Sequence, residues 1–491
     1  MMKHPMNLLA RLFGKRDTAA LYRPPQVFLT NTLSGKKEIF VSRKPGLALL
    51  YSCGPTVYGP AHIGNLRAYV FSDTIARTLT AAGYRVRRVI NITDVGHLVG
   101  DGDRGEDKMA VGAAREHVTP EEIATRYTKL FIEDISDLSI DTDDITFPRA
   151  TEYLKEQIAL AKTLEEKGFA YRLPDGLYFD TEKFPGYGKL GGIHGVKLEA
   201  GARVEVVKGK RHPADFVLWR TAKPHDLQQW DSPWGRGNPG WHIECSAMIR
   251  ALLGQEIDIH TGGEDHINIH HNNEIAQSEA ANGRTFVHYW MHNAFLTMQG
   301  EKASKSLGNV VYLSDVVKKG FHPLALRYFF LQAQYRTPLS FSWDALAGAA
   351  SALDRLWKLS RDIASESKRV AVPSEARERF LAVMRDDLAT PQALSILWDS
   401  LRSEDYAPEE KWGLLEDAEA HLGLSLTSAP AFNAVSAEEM PEEMRDMLAR
   451  REAARAARDF TEADRLRGEI EQKGYRIDDG SEGPVLTRVT L

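Results

Sequence analysis

Residues 51–67, with the sequence YSCGPTVYGPAHIGNLR, decide the fold of this chain. The apolar run at residues 47–51 predicts a buried strand, and the glycines and prolines after it predict a loop. After Asn65, apolar residues recur at the spacing of one helix face: Phe71, Ile75, Leu79 and Ala82. Gly83 predicts the end of that helix, and residues 84–90 predict the next strand. This order of elements is typical of an α/β protein with a parallel sheet.

The start of this helix is a candidate phosphate-binding site, because its first N–H groups have no partner within the helix. His62 and Asn65 lie there, and an imidazole and a carboxamide can hydrogen-bond phosphate oxygens. HIGN alone is equally typical of a tight turn. A second stretch, residues 301–309 (EKASKSLGN), places Lys302 and Lys305 three residues apart among serines. Such lysines suit a loop that binds polyphosphate, although short charged runs are usually solvated loops.

Taken in order, the two stretches resemble the HIGH and KMSKS signatures of the class I aminoacyl-tRNA synthetases, with Asn65 and Ala303 as departures. Four longer segments are similar to cysteinyl-tRNA synthetases: CGPTVYGPAHIGN, PGWHIECSAM, HHNNEIAQ and KASKSLGN. The resemblance extends from about residue 26 to the end of the chain. It implies an α/β fold, with a Rossmann-like class I catalytic domain that carries a connective insertion. A helical bundle and a small C-terminal domain would follow.

The composition is that of a globular protein. Of the 491 residues, 43% are hydrophobic and 26% charged, and no apolar run reaches membrane-spanning length. The formal charge of −6 means that binding to nucleic acid would depend on local basic patches. Two cysteines in so long a chain argue against a disulfide framework, so we expect a cytoplasmic protein. Residues 1–24 precede the resemblance, and we expect a disordered extension there, with a transit peptide as the alternative.

The resemblance also implies the domain boundaries. The catalytic domain would span residues 25–310, with its insertion at about 101–200. Within that insertion, residues 101–108 (DGDRGEDK) predict a charged loop before helical stretches, and residues 186–195 predict a glycine-rich connection. A segment that contacts the tRNA stem would follow at 311–345, a helical bundle at 346–425 and an anticodon-binding domain at 436–491.

The bundle can be predicted from its own sequence. Apolar residues recur at helical spacing over 346–363, and residues 384–397 and 412–424 predict further helices.

Three arginines of the last region, Arg451, Arg455 and Arg458, lie at helical spacing among acidic residues. That mixture favours a solvated face, whereas the resemblance implies that these arginines bind tRNA.

A metal site is suggested by two thiols, an imidazole and a carboxylate: Cys53, Cys245, His270 and Glu274. Such donors suit tetrahedral zinc. Free cysteines are usually small buried hydrophobic residues, and a His/Glu pair on a helix is usually an exposed contact. On composition, His271, Glu264 and His266 are competing ligands. The resemblance selects the first four, and it implies one Zn²⁺ per chain.

Four further residues are candidates for binding the amino acid. The resemblance implies that Gly54, Thr93 and Trp241 form its pocket and that Asp265 contacts its ammonium group. After Asp94 the family continues with further aspartates and a lysine, whereas residues 91–97 here read NITDVGH. The roles of residues beyond Asp94 therefore stay open.

The resemblance implies ATP-dependent activation of L-cysteine to cysteinyl-adenylate and transfer to tRNA(Cys), with zinc reading the thiolate and Mg²⁺ accompanying ATP. It implies a monomer. An alternative is a synthetase-derived ligase that joins cysteine to an amino sugar, which would have no reason to keep an anticodon-binding tail. A second alternative is a non-catalytic RNA-binding relative, against which the intact HIGN and KASKS motifs argue.

Overall fold

The computed structural model describes residues 25–97, 107–192, 209–224, 226–298, 301–302, 310–429, 435, 440–473, 475–480 and 483–488. Five features predicted above lie wholly or partly outside this part of the chain: the N-terminal extension at 1–24, residues 101–106 of the charged loop, residues 193–195 of the glycine-rich connection, the side chain of Lys302, and Lys305. Among the helices of these ranges, none is both long and apolar enough to cross a membrane.

The region up to Lys302 is built on a parallel sheet. Its elements are β1 Phe28–Asn31, β2 Lys36–Ile39, β3 Leu47–Ser52, α1 Ile63–Ala81, β4 Arg85–Ile90, α2 Lys108–Glu116, α3 Pro120–Asp137, β5 Ile145–Thr146, α4 Leu154–Glu166, β6 Ala170–Leu173, β7 Gly176–Phe179, β8 Phe216–Thr221, β9 Gly237–Pro239, α5 Trp241–Leu252, β10 Ile257–Gly263, α6 His270–Asn282, β11 Val287–Asn293, β12 Leu296–Met298 and β13 Glu301–Lys302. Five strands pair in parallel in the order β11-β10-β3-β4-β5. Parallel strands bind ligands at their carboxyl edge, where the loops after β3, β4 and β10 meet. The predicted α/β fold is confirmed.

Helix α1 follows the prediction closely. It begins after His62 and ends at Ala81, and Phe71, Ile75 and Leu79 are buried against the sheet. Gly83 has φ of 93°, a conformation that glycine adopts without strain, and the chain turns there into β4.

The inserted region differs in content from the prediction. Helices α2 and α3 precede β5, which returns to the central sheet beside β4. Strands β6, β7, β8 and β9 then form a separate antiparallel sheet in that order. This second sheet extends to Pro239 and so crosses the predicted boundary at about residue 200. Strands β7 and β9 are buried along their length rather than alternating, so their sequence has no clear strand period.

Helices dominate the rest of the chain. The helices after Lys302 and before the C-terminal region are α7 Leu313–Lys318, α8 Pro323–Leu331, α9 Trp343–Glu366, α10 Glu375–Arg385, α11 Thr390–Arg402 and α12 Pro408–Leu422. One short strand, β14 Leu339–Phe341, lies between α8 and α9. The helix predicted at 384–397 is instead split between α10 and α11. Asp387 and Leu388 have φ of 60° and 55°, which no α-helix contains. The aspartate accepts hydrogen bonds from Thr30 and Tyr335, and these contacts hold the break in place.

The C-terminal region has its own apolar core. It comprises α13 Glu442–Ala456, α14 Phe460–Gln472, β15 Tyr475–Gly480 and β16 Gly483–Arg488, the strands forming an antiparallel hairpin. Met444, Leu466, Ile477 and Leu486 belong to one buried cluster, separate from that of the bundle. Val435 N–H donates to the carbonyl of Leu486 at 2.8 Å, which ties the preceding chain to the hairpin.

Candidate active site

The loop after β3 carries the first site residues to the carboxyl edge of the sheet. Cys53 N–H donates to the carbonyl of Thr261 on β10, at 3.2 Å. At Gly54 a Cβ atom would lie 1.5 Å from the carbonyl oxygen of Asn91, so only glycine allows this close approach to the end of β4. The loops after β3 and β4 are thereby held close together where they leave the sheet.

His62 and Asn65 form a reciprocal cap at the start of α1. Asn65 N–H donates to Nδ1 of His62, and His62 N–H donates to Oδ1 of Asn65, both at 3.2 Å. This arrangement has the geometry of a capping box, with an imidazole in place of the usual hydroxyl. The predicted phosphate-binding residues therefore also define where the helix begins.

A cavity of about 550 Å³ opens at this edge of the sheet. Nine of the predicted site residues line it: Cys53, Gly54, His62, Asn65, Thr93, Trp241, Cys245, Asp265 and His270. They come from the loops after β3, β4 and β10 and from the first turns of α1, α5 and α6. Residues far apart in sequence thus surround one space large enough for small-molecule substrates.

The four predicted metal ligands converge beside this cavity, and three of them, Cys53, Cys245 and His270, line it. One donor atom from each of Cys53, Cys245, His270 and Glu274 can be chosen so that all lie within 4.8 Å of one another. His270 Nε2 is 3.0 Å from Oε1 of Glu274, and Cys53 Sγ is 3.8 Å from the same oxygen. Zn–S and Zn–N bonds of about 2.0–2.3 Å require donors this close, so the set fits a tetrahedral ion.

A second set competes with the first, as composition indicated. Cys53, His260, His271 and Glu274 also place their donor atoms within 4.8 Å. Neither His260 nor His271 lines the cavity, whereas Cys245 and His270 do. The first set would therefore hold a metal where a bound molecule can reach it.

Two other candidate ligands have different surroundings. Glu264 accepts a hydrogen bond from the N–H of Phe295 at 2.8 Å. His266 lines the cavity, and it belongs to neither of the two sets.

The charges in the cluster suit a metal. The hydrogen bond from Cys53 lowers the pKa of Cys245 to about 7 despite its burial. Burial would by itself raise the pKa of Glu274, but His260 and His270 outweigh it and lower the pKa to about 2. Cys245 and Glu274 can therefore supply negative charge, as metal ligands require.

Trp241 and Asp265 both line the cavity. Trp241 is the first residue of α5, and its ring centroid is 4.4 Å from that of His270. Asp265 follows β10, in the turn that precedes α6. The indole therefore contacts a predicted metal ligand directly.

A buried carboxyl group behind Thr93 escaped the sequence analysis. Glu244 is fully buried, its Oε2 accepts from the Thr93 hydroxyl at 3.0 Å, and its Oε1 lies 2.6 Å from Nε2 of His97. Burial raises the pKa of Glu244 well above its usual range. Its position next to Cys245 within PGWHIECSAM was the available signal. His97, part of the NITDVGH departure, is thus tied to the wall of the site.

The chain on either side of the KASKS loop lies next to α1. Lys302, in β13, pairs with Thr297 of β12, and Leu296 of that strand lines the cavity. On the other side of the loop, the carbonyl of Val311 accepts from the N–H of Ile63 at 2.9 Å. The described residues that flank 303–309 on both sides therefore lie close to the start of α1.

The three arginines predicted to bind tRNA lie in the C-terminal region. Arg451 is only 3% exposed, and its guanidinium forms two hydrogen bonds of 2.8 Å with the carboxylate of Asp479. Arg455 pairs with the same carboxylate at 2.5 Å. Arg458 is exposed at the end of α13. Arg451 therefore holds a helix to the hairpin, and its geometry gives no support to the predicted contact with tRNA.

Comparison with solved structures shows the class of fold. Mycobacterium tuberculosis methionyl-tRNA synthetase in complex with methionyl-adenylate aligns with a TM-score of 0.53 at 18% identity, over 82% of this chain and 94% of its own. A leucyl synthetase–tRNA complex of Agrobacterium radiobacter K84 aligns with a TM-score of 0.59 at 11% identity, over 82% and 88%. The chain thus has the fold of class I tRNA synthetases.

Sequence comparison identifies the family. The family model described as the class I (C) tRNA synthetase catalytic domain matches residues 39–351. Cysteine–tRNA ligase 1 of Burkholderia lata is 44% identical over 462 residues, 93% of this chain and 96% of the relative. Cysteine–tRNA ligase of Treponema denticola is 42% identical over 480 residues, 92% and 97%. The chain belongs to the cysteine–tRNA ligase family of class I synthetases, which confirms the resemblance read from its motifs.

Proposed function

We propose that this chain activates L-cysteine with ATP and transfers it to tRNA(Cys). The observation that carries the proposal is that Cys53, Cys245 and His270, three of the four clustered metal ligands, line the same cavity as the HIGN helix start. The metal cluster suits a thiol, and the helix start suits phosphate. A ligase for cysteine needs both in one space.

Selection of cysteine over serine is the task that we assign to the metal cluster. Packing alone separates such near-isosteres by roughly 1–3 kcal/mol. A zinc ion held by the four ligands would take the substrate thiolate as a further ligand, since zinc sites can expand to five ligands, and it would bind a protonated serine hydroxyl poorly. Trp241 would pack beside the substrate side chain, and Asp265 would bind its ammonium group. No editing step is then required.

Adenylate formation would proceed through positioning and charge. The cysteine carboxylate oxygen attacks the α-phosphorus of ATP, the bond from that phosphorus to the bridging oxygen breaks, and pyrophosphate leaves. Because Nδ1 of His62 accepts the capping bond, Nε2 is the ring atom that would contact phosphate. Lys302 and Lys305 would neutralise the β- and γ-phosphates together with Mg²⁺. The terminal ribose hydroxyl of tRNA then attacks the adenylate carbonyl and releases AMP.

From the resemblance to the family, we propose that the C-terminal region binds the anticodon and that residues 311–345 contact the acceptor stem. The resemblance also leads us to propose a cytoplasmic monomer.

The decisive experiment is ATP–pyrophosphate exchange with each amino acid in turn, followed by charging of tRNA transcripts. We expect exchange with cysteine and at least about 1,000-fold less with serine, which exceeds the roughly 10–200-fold that packing alone gives. Exchange that prefers another amino acid would overturn the proposal. Exchange with cysteine combined with consumption of an amino sugar instead of tRNA would favour the alternative ligase.

A further inference from the structure

The cavity has one feature that the motifs do not explain: the side chain of Lys108. Among the lysines and arginines whose side chains the structure describes, Lys108 is the one that lines the cavity. Its Nζ lies 5.4 Å from the centroid of the Trp241 ring, within the range of a cation–π contact. A positive charge therefore stands next to Trp241 in the wall of the cavity.

The fold fixes the position of this lysine. Lys108 is the first residue of α2, and its N–H donates to the carbonyl of His97 at 2.9 Å. Asp107 caps the helix by accepting from the N–H of Ala110 at 2.9 Å. At Gly96 a Cβ atom would lie 1.9 Å from Oδ2 of Asp107, so the glycine makes room for this cap. Residues 91–97, which depart from the family's pattern, thus contact the first residues of α2 through Gly96 and His97.

Helix α2 also packs tightly on the loop that follows β3. At Gly112 a Cβ atom would lie 2.8 Å from the carbonyl oxygen of Tyr58, another residue of the cavity wall. Met109, fully buried, belongs to the core cluster that includes Val57 of the same loop. Lys108 is therefore carried by a helix that is anchored on both sides of the cavity mouth.

The charged side chains that line the cavity match the charges of an amino acid. Asp265 is the one carboxylate among the described residues that line the cavity. A zwitterion needs one anion and one cation at its binding site. Asp265 supplies the first, and Lys108 supplies the second.

We propose that Lys108 binds the α-carboxylate of the amino-acid substrate and orients it for attack on ATP. The inference rests on the proposed function, since it takes cysteine as the occupant of this cavity. It assigns a specificity role to a residue outside the HIGN, KASKS and metal-ligand motifs. In the same site, Asp265 would bind the ammonium group and the metal cluster the thiol.

The test compares two ligands that differ only in the carboxylate. Calorimetric titration of the zinc-loaded full chain with L-cysteine and with cysteamine gives the affinity that the carboxylate contributes. We expect Lys108→Met to weaken cysteine binding by about 10-fold to 100-fold, the loss typical of a hydrogen bond to a charged group. Cysteamine binding should stay unchanged. Lys108→Arg should retain part of the preference, because it keeps the charge.

Lys129→Met, which removes an exposed lysine of α3, is the matched control and should bind both ligands as the wild type does. Equal loss of both ligands in Lys108→Met would mean a structural role and would overturn the inference, as would no loss of either. If Lys108→Met fails to fold, equal affinity of the wild type for cysteine and cysteamine would equally reject it. Failure of the proposed function looks different, since the wild type would then bind neither ligand.

Discussion

At the scale of single residues, Cys245 distinguishes the two possible metal sets. It belongs only to the set that lines the cavity, whereas His271 belongs only to the other. We expect purified protein to hold about one zinc per chain, as four protein ligands imply. Cys245→Ser should lose most of it, because an alcohol replaces a thiolate poorly. His271→Gln should retain it. Elemental analysis of the purified variants measures both, and full zinc in Cys245→Ser would contradict this assignment.

His62 has two roles that different substitutions can separate. Asparagine is a good N-cap residue and alanine is a poor one, so His62→Ala should be less stable than His62→Asn by about 1 kcal/mol. Both variants remove the imidazole and should slow ATP–pyrophosphate exchange. Thermal unfolding and exchange rates of the two proteins give the comparison. Unchanged exchange in His62→Asn would show that the histidine serves only as a cap.

Sequence reasoning at this scale depends on long, ordered motifs. The residues of HIGN and of the zinc set were predicted from the segments that contain them. Glu244 and Lys108 were missed because their surroundings arise only when distant segments meet. Lys108 was placed in a charged loop, since nothing in DGDRGEDK indicates that its last residue begins a helix facing a cavity.

At the scale of elements, a buried ion cluster joins α1 to the helical bundle. Asp73 of α1 accepts from Arg77, Arg88 and Arg327 at distances of 2.7–3.0 Å. Arg327 is fully buried and also donates to the carbonyls of Leu138 and Leu422. The helix that begins at the cavity is thus connected to α12 through hydrogen bonds and charge.

Removal of the central charge should therefore destabilise the protein. Asp73→Asn would leave three guanidinium groups without their shared carboxylate, at a cost of about 3–5 kcal/mol. Asp386→Asn is the control, because its ion pair with Lys37 is about half exposed and such pairs contribute about 0–1 kcal/mol. Thermal unfolding at pH 7 measures both changes. Similar stability of the two variants would contradict a structural role for the cluster.

The same carboxyl group predicts a dependence on pH. Burial alone would raise the pKa of Asp73, but Arg327, Arg77 and Arg88 hold it well below its usual value. A carboxyl group whose pKa is depressed in the folded state stabilises that state at pH values above its unfolded pKa of about 3.9. This stabilisation is lost as the pH falls toward the folded pKa. The difference in Tm between wild type and Asp73→Asn should therefore be constant from pH 7 to about 5 and shrink below about 4. A difference that grows on acidification would contradict this.

The break between α10 and α11 could not be predicted from the spacing of apolar residues. The stripe over 384–397 predicts one helix, yet the hydrogen bonds that Asp387 accepts from Thr30 and Tyr335 divide it in two. Those partners lie 357 and 52 residues away in the chain. Local propensity was overruled by contacts that the sequence around the break does not contain.

At the scale of the whole molecule, the C-terminal core should be dispensable for the first reaction. Its apolar cluster is separate from that of the bundle, against which Ala429 still packs. A chain ending at Ala429 should retain cysteine-dependent pyrophosphate exchange. Its KM for tRNA should rise by at least about 10-fold, or roughly 1.4 kcal/mol, because distant contacts contribute binding. Exchange and charging assays at fixed salt measure both quantities. Charging with unchanged KM would mean that this region does not bind tRNA.

The order of the metal ligands along the chain has a consequence for biosynthesis. Cys53 precedes its partners by most of the α/β region, and translation adds about 5–20 residues per second. On that scale, Cys53 is synthesised roughly 10–40 s before Cys245. During this interval the nascent polypeptide contains one of the two predicted ligand thiols without its partners. Metal loading at these residues would consequently be a late event for each molecule, and it would report that β3, α5 and α6 have assembled.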